Sequence, residues 1–261
     1  MKPLADKALV FAYRGASAYA PENTVEAFEL AHKMGADAVT LNVILTADGE
    51  VVLSDTPLIN TVSNGQGLIF DYTLAELKIF DFGYQFYKGQ RKGIRIPTLD
   101  EAYDFLAGTD MLVNVELKSY DPRAESRSYD PNIVNKCLEI AKLHNIQERI
   151  LYSSLDQYQL HRVKILDPNT RVAPLITSCD FSNPAQHCVH LQTNVIHPRH
   201  YRIPYNDGYV ETCHKSGLRV HAWTANSEER IAVALSHGVD GVITTYPDIA
   251  IKIRDEIRST Q

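Results

Sequence analysis

Apolar and polar positions alternate between two periods along this chain. Ala8-Leu9-Val10-Phe11-Ala12 is a short apolar run of the kind that forms a fully buried strand. Pro21-Glu22-Asn23-Thr24 then opens a helix, with Asn23 or Thr24 as its cap and Glu26 in its first turn. Ala27, Leu30, Ala31 and Met34 fall at i, i+3, i+4 and i+7 and make one apolar face. The pattern repeats to the end. Strands are expected at Ala38–Val43, Val51–Leu53, Met111–Lys118, Ile150–Ser153, Val172–Ile176, Val195–Ile196, Leu218–Trp223 and Gly241–Thr244. Helices are expected from Thr98 to Leu106, Asn132 to His144, Asp156 to Leu166, Asn206 to Ser216, Glu228 to His237 and Pro247 to Arg258.

Residues 55–97 break this rhythm. They hold Asn64-Gly65, a short helix at Leu74–Leu77 and many aromatics, too much for a simple connection. We read them as a small inserted subdomain or lid in a single domain spanning residues 1–261, with Phe80, Phe82, Tyr84, Phe86 and Tyr87 either packing it onto the rest or covering a ligand's apolar part. Otherwise the βα units number eight, which points to an α/β (β/α)8 TIM barrel. A doubly wound open sheet competes, but no Gly-x-Gly-x-x-Gly follows the first strand.

The 261 residues suffice for one large core. With a net charge of −6 and no basic stripe, nucleic acid is a poor partner. No apolar run reaches the roughly 20 residues of a membrane span, and Met1–Lys7 lacks the apolar core of a signal peptide. Cys137, Cys179, Cys188 and Cys213 form no Cys-x-x-Cys pair, so reduced thiols in a cytoplasmic protein are expected.

In a barrel, strand ends converge on one mouth. The candidates there are Tyr13, Arg14, Thr40, Asn42, Ser54, Asp55, Glu116, Lys118, His197, His221 and Trp223. Residues i and i+2 of a strand share a face, so Glu116 stands with Lys118 and Thr40 with Asn42. A carboxylate and an ammonium in an apolar strand are either a satisfied internal pair or part of a ligand site. Arg199 and His200 follow the sixth strand and either reach the mouth or serve packing. His32, His144, His161, His187, His190, His214 and His237 are expected in solvent.

Tyr13-Arg14-Gly15-Ala16-Ser17, Pro21-Glu22-Asn23-Thr24, Leu45-Thr46-Ala47-Asp48-Gly49, Asn64-Gly65-Gln66-Gly67, Val115-Glu116-Leu117-Lys118, Trp223-Thr224-Ala225-Asn226 and Gly238-Val239-Asp240-Gly241 together resemble the glycerophosphodiester phosphodiesterases, in order along nearly the whole chain. The resemblance implies a TIM barrel with an insertion after the second strand. It also implies hydrolysis of glycerophosphodiesters to glycerol 3-phosphate and an alcohol with a divalent metal. Against the family pattern, Tyr13 and Ser54 stand where two catalytic histidines are expected. Thr40 and Asn42 stand where two of three metal carboxylates are expected, leaving Glu116, and Thr245 replaces a customary Asp.

Magnesium and calcium seek anionic oxygens, and Ser54 and Tyr13 are poor proton carriers near neutral pH. The sequence therefore leads to a catalytically degenerate member of this lipid-metabolism family, a pseudoenzyme with no tightly bound metal. It would keep Arg14 and Lys118 from the catalytic set and bind a small phosphate-containing ligand, such as glycerol 3-phosphate or a glycerophosphodiester, through Arg14, Lys118 and Trp223. Pairing of Glu116 with one of the cations would leave about one positive charge for that ligand. The alternative is an active calcium- or magnesium-dependent phosphodiesterase with a rearranged site using Glu116, Asp55 and Tyr13.

Overall fold

A computed structural model describes residues 8–118, 132–177, 185–205 and 208–259, apart from the His187 and Tyr205 side chains. The expected polar loop from Ser119 to Pro131, and Cys179, lie outside the described residues.

The elements follow the alternation read from the sequence. They are β1 (Leu9–Tyr13), α1 (Val25–Lys33), β2 (Ala38–Leu45), β3 (Val51–Leu53), α2 (Leu74–Leu77), α3 (Leu99–Ala107), β4 (Leu112–Leu117), α4 (Asn132–Leu143), β5 (Ile150–Ser154), α5 (Gln157–Leu166), β6 (Arg171–Ile176), α6 (Gln186–Val189), β7 (Val195–Pro198), α7 (Tyr209–Lys215), β8 (Arg219–Ala222), α8 (Glu228–Ser236), β9 (Gly241–Thr244) and α9 (Pro247–Ser259). The parallel strands run β1-β9-β8-β7-β6-β5-β4-β2, and a β1–β2 pairing closes them into a barrel. This is the (β/α)8 TIM barrel, with β3 added as an antiparallel hairpin strand on β2.

Every residue of β2 is buried, as expected for a strand covered on both faces. Its alternate residues part company. Val39, Leu41 and Val43 join Val113, Val115 and Leu117 in the layer beneath the helices, with Phe28 of α1 and Tyr103 and Leu106 of α3. Thr40 and Asn42, with Asn114 and Glu116 of β4, therefore face the barrel interior. Register aligns them: Tyr13 pairs with Thr40, Thr40 with Asn114, and Asn42 with Glu116.

Thr24, not Asn23, caps α1, its side chain accepting from the Ala27 N–H. Thr98 and Glu101 form a capping box on α3. The chain's two ends are joined by Arg254 of α9, which meets Asp37 at 2.5 Å, and the same carboxylate oxygen accepts from the Val10 N–H of β1 at 2.9 Å. Between β3 and α3, Ile59, Ile69, Leu77, Phe82 and Ile96 pack on Ile44 and Val52, with Phe80 partly buried against them. Tyr84 and Tyr87 remain outside that cluster and Phe86 is exposed.

The expectation that His197 and His221 reach the mouth is corrected. Both are buried inside the barrel, where His197 Nε2 lies 3.1 Å from His221 Nδ1. His221 sits low because its strand pairs it with Gly241, which pairs with Leu9 at the start of β1. Nor are all the remaining histidines solvated. His144 is largely covered and lies 2.9 Å from Asp100, whereas His214 is exposed as expected, 2.8 Å from Asp240.

Burial, together with nearby Arg219 and Arg171, holds the His221 ring down to about 4 despite Asp240. The unfolded ring titrates at its ordinary value of about 6.5. Between these values the unfolded chain binds a proton that the folded chain does not, so stability rises with pH. This contribution is complete above about pH 6.5 and is lost as pH falls toward 4. Urea unfolding should accordingly show a drop of roughly 2 kcal/mol from this ring between pH 7 and pH 5. His221→Gln should remove about that much of the pH dependence, and an unchanged slope would contradict the assignment.

Candidate functional site at the barrel mouth

The mouth is built first from the backbone after β1. Arg14 has φ 58° and Gly15 φ 79°, two successive left-handed residues that turn the chain sharply. A left-handed Arg is costly and needs support. Its N–H donates to the Thr40 carbonyl at 2.7 Å, and its carbonyl accepts from the Asn23 N–H at 3.0 Å. Asn23, also left-handed at φ 57°, is thereby freed from helix capping. Its side chain clasps β2 instead: Oδ1 accepts from the Asn42 N–H at 3.1 Å, and Nδ2 donates to Asn42 Oδ1 at 3.2 Å.

Five ionisable side chains of opposite sign meet on this frame. The Arg14 guanidinium contacts Glu22 at 2.6 Å and Asp55 at 2.8 Å, and donates to the Tyr13 hydroxyl at 2.8 Å. Lys118 Nζ lies 2.7 Å from the other Asp55 oxygen and 2.9 Å from Glu116 Oε1. The second Glu116 oxygen accepts from Asn42 Nδ2 at 2.9 Å. Asp55 thus bridges the two cations with one oxygen on each. Burial alone would lower the Lys118 pKa, but Glu116 and Asp55 beside it outweigh that and raise it. Burial likewise works against the charged Arg14, and Tyr13, Glu22 and Asp55 more than offset it. Burial pushes the Tyr13 hydroxyl up to about 12, with Glu116 adding to the effect.

The structure brings together Tyr13, Arg14, Asn42, Asp55, Glu116 and Lys118 as the sequence expects. The pairing of Glu116 with Lys118 also follows the expectation. The charge balance does not: Arg14 and Lys118 face the carboxylates of Glu22, Asp55 and Glu116, so the cluster carries a formal charge of −1 rather than +1. Sequence reasoning counted Asp55 among the mouth residues and Glu22 only in the run that opens α1, and gave neither to the cations. Their signal was position alone, two acids beside Pro21 and after β3. Thr40 keeps to the side, its hydroxyl 3.4 Å from Asn114 Nδ2. The Ser54 hydroxyl donates to the Thr56 carbonyl at 2.7 Å. Trp223 packs in the inner cluster with Tyr13 and Phe11, and its Nε1 donates to the His197 carbonyl at 2.6 Å. Arg199 reaches this edge of the mouth, its guanidinium 4.7 Å from the Trp223 ring centre.

Residues 14–249 match the model of the glycerophosphoryl diester phosphodiesterase family. The chain belongs to that family. A glycerophosphodiester phosphodiesterase of Caldanaerobacter subterraneus subsp. tengcongensis is 35% identical over 95% of this chain and 98% of its own length. One from Bacillus altitudinis is 32% identical over 95% and 99%. An Oleispira antarctica phosphodiesterase, whose structure is a complex with the product sn-glycerol-3-phosphate, superposes with a TM-score of 0.84 at 29% identity, covering 95% of this chain and 97% of that one. Among the described residues no helix is long and apolar enough to cross a membrane.

The turn after β1 carries the site, so its glycine is a sensitive point. A Cβ on Gly15 would lie 2.6 Å from the Ala27 carbonyl carbon, in a conformation that L side chains rarely adopt. Gly15→Ala should cost about 2–3 kcal/mol of stability. It should also shift Arg14 off Asp55. A thermal melt and a crystal structure check both, and a variant melting like the parent would show that α1 gives way without cost.

Proposed function

We propose that this chain is a catalytically degenerate member of its family that binds a phosphate-containing ligand at the barrel mouth. The observation that carries the reading is the internal bridge of Asp55 between Arg14 and Lys118. Each Asp55 oxygen sits where a phosphate oxygen would sit between the same two cations. A ligand phosphate competes with Asp55 for a guanidinium that donates two parallel hydrogen bonds and an ammonium that acts as a point charge. The Trp223 face would cover the glycerol or the alcohol.

Several features support the loss of hydrolysis. A divalent metal wants anionic oxygens free to coordinate. Here both Glu116 oxygens face hydrogen-bond donors, one an ammonium and one an amide. Thr40 and Asn42 add only neutral groups. Among the described residues no group of three or more His, Cys, Asp or Glu side chains is placed to hold a metal ion. This donor chemistry supports a site that does not fit the divalent ion the family uses. Ser54 has its proton committed to a carbonyl, and Tyr13, with its hydroxyl at about 12, is no base near neutral pH. The alternative reading is an active calcium- or magnesium-dependent phosphodiesterase using Glu116, Asp55 and Tyr13; two relatives carry the name glycerophosphodiester phosphodiesterase. Assay with glycerophosphocholine and saturating Ca²⁺, Mg²⁺ or Mn²⁺ separates the two. No turnover is expected, and hydrolysis abolished by Glu116→Gln would establish the active form.

The bridge sets the direction of two further outcomes. Removing the competing carboxylate in Asp55→Asn should tighten glycerol 3-phosphate about tenfold, a modest share of the charge interaction at this distance after screening. Arg14→Lys should weaken it despite keeping the charge. Calorimetry reads both, and equal affinity in all three proteins would remove the ligand from this cluster.

Restoring the family's groups tests degeneracy itself. Tyr13→His, Thr40→Glu, Asn42→Asp and Ser54→His together should raise phosphodiesterase activity above the parent. Single changes should do little, because metal and acid–base groups act as a unit. A folded quadruple variant inert on several glycerophosphodiesters would count against the assigned positions.

A further inference from the structure

The end of the barrel opposite the mouth carries a second cluster of cations. Arg149 precedes β5, Arg171 begins β6, Asn194 precedes β7 and Arg219 begins β8, so four neighbouring strands each contribute a long polar side chain at the point of entry. These four residues line a cavity of about 60 Å³. Its other walls include Leu9, Phe11, Leu112, Leu151 and Val195 from the barrel interior. His221 lines it too, 3% exposed, with Nδ1 against His197 and Nε2 without a hydrogen-bond partner.

We propose that this cavity binds a small carboxylate with a short apolar tail, the carboxylate on Arg171 and Arg219 and the tail against the apolar wall.

Charge points to an anion. Three guanidinium groups gather here in a chain of net charge −6. Among the described residues, the carboxylate paired with Arg219 is that of Asp240, at 3.7 Å, beyond hydrogen-bond reach. Arg171 spends one donor on the Glu148 carbonyl at 2.6 Å. Arg149 is committed to the carbonyls of Leu106, Thr109 and Met111 and so supplies charge rather than a contact. Burial holds both Arg171 and Arg149 below the ordinary guanidinium range, despite Glu148 and Asp110 respectively. A bound anion would offset the cost of that desolvation by pairing with the charge.

The walls select the rest of the ligand. Inorganic phosphate would strand oxygens against leucine, valine and phenylalanine, where they find no donors. A water needs about 10–15 Å³ of such space, so the cavity takes roughly four to six heavy atoms. That is the size of propionate or butyrate.

The test uses the full chain and titrates acetate, propionate, butyrate, octanoate and inorganic phosphate by calorimetry. Affinity should rise roughly fourfold per methylene from acetate to butyrate, the factor expected for each buried CH₂. Octanoate should gain nothing further. Binding should weaken at least tenfold in Arg171→Gln/Arg219→Gln and stay unchanged in Arg14→Lys, which alters only the mouth. No saturable butyrate binding, phosphate bound more tightly than butyrate, an unaffected double variant, or a loss in Arg14→Lys would each overturn the proposal. Should the double variant fail to fold, a crystal soaked in 3-bromopropionate decides. Anomalous bromine density inside the cavity supports the site, and its absence from the cavity overturns it.

Discussion

Asp55 is the constraint on which the mouth depends. Two cations come from different strands, Arg14 from the end of β1 and Lys118 from the end of β4. Without an anion between them they would repel across a half-buried space of low dielectric. Asp55 answers both at once, and Glu22 and Glu116 close the two outer sides. Each charged group then has at least one partner of opposite sign within 3 Å, so the cluster is held by matched polarity rather than by packing. Tyr13 and Asn42 extend the same network inward, one accepting from Arg14 and the other donating to Glu116.

That network rests on backbone set by neighbouring strands. The β1–β2 and β2–β4 registers put Tyr13, Thr40 and Asn114 on one level and Asn42 beside Glu116. A slip of one residue would turn these polar groups into the helical layer and the valines into the barrel. The strong apolar alternation of β2 and β4 is what forbids the slip. Hydrophobic burial outside the barrel thus fixes polar geometry inside it.

Much of this was legible in the sequence because it depends on period and punctuation. Strand ends, helix caps such as Thr98, and the inward pairs Thr40/Asn42 and Glu116/Lys118 all follow from local patterns. What stayed hidden depends on contacts between distant residues. Nothing near His197 in sequence says that it meets His221 rather than solvent or the mouth. Asn23 and Thr24 are equally good caps on paper. The choice falls to Thr24 because Asn23 is needed on Asn42, a partner 19 residues away. The sign of the cluster's charge is hidden for the same reason, since Glu22 and Asp55 enter from loops whose course no periodicity encodes.

The short strand β3 has a wider meaning. The Leu53 N–H donates to the Pro97 carbonyl at 2.9 Å, and Val52 bridges to Thr98. The stretch between these points leaves and re-enters the molecule through adjacent doors. Its ends are already tied, so changes in its length add only the slow logarithmic term of loop closure. The Ser54 N–H is separately fastened to the Asn42 carbonyl at 3.0 Å, anchoring the residue before Asp55 to β2 itself. The barrel thus offers a socket at this edge: a segment of another length that still covers Ile44 and Val52 can join Thr56 to Pro97 while the charged bridge beside it stays in place.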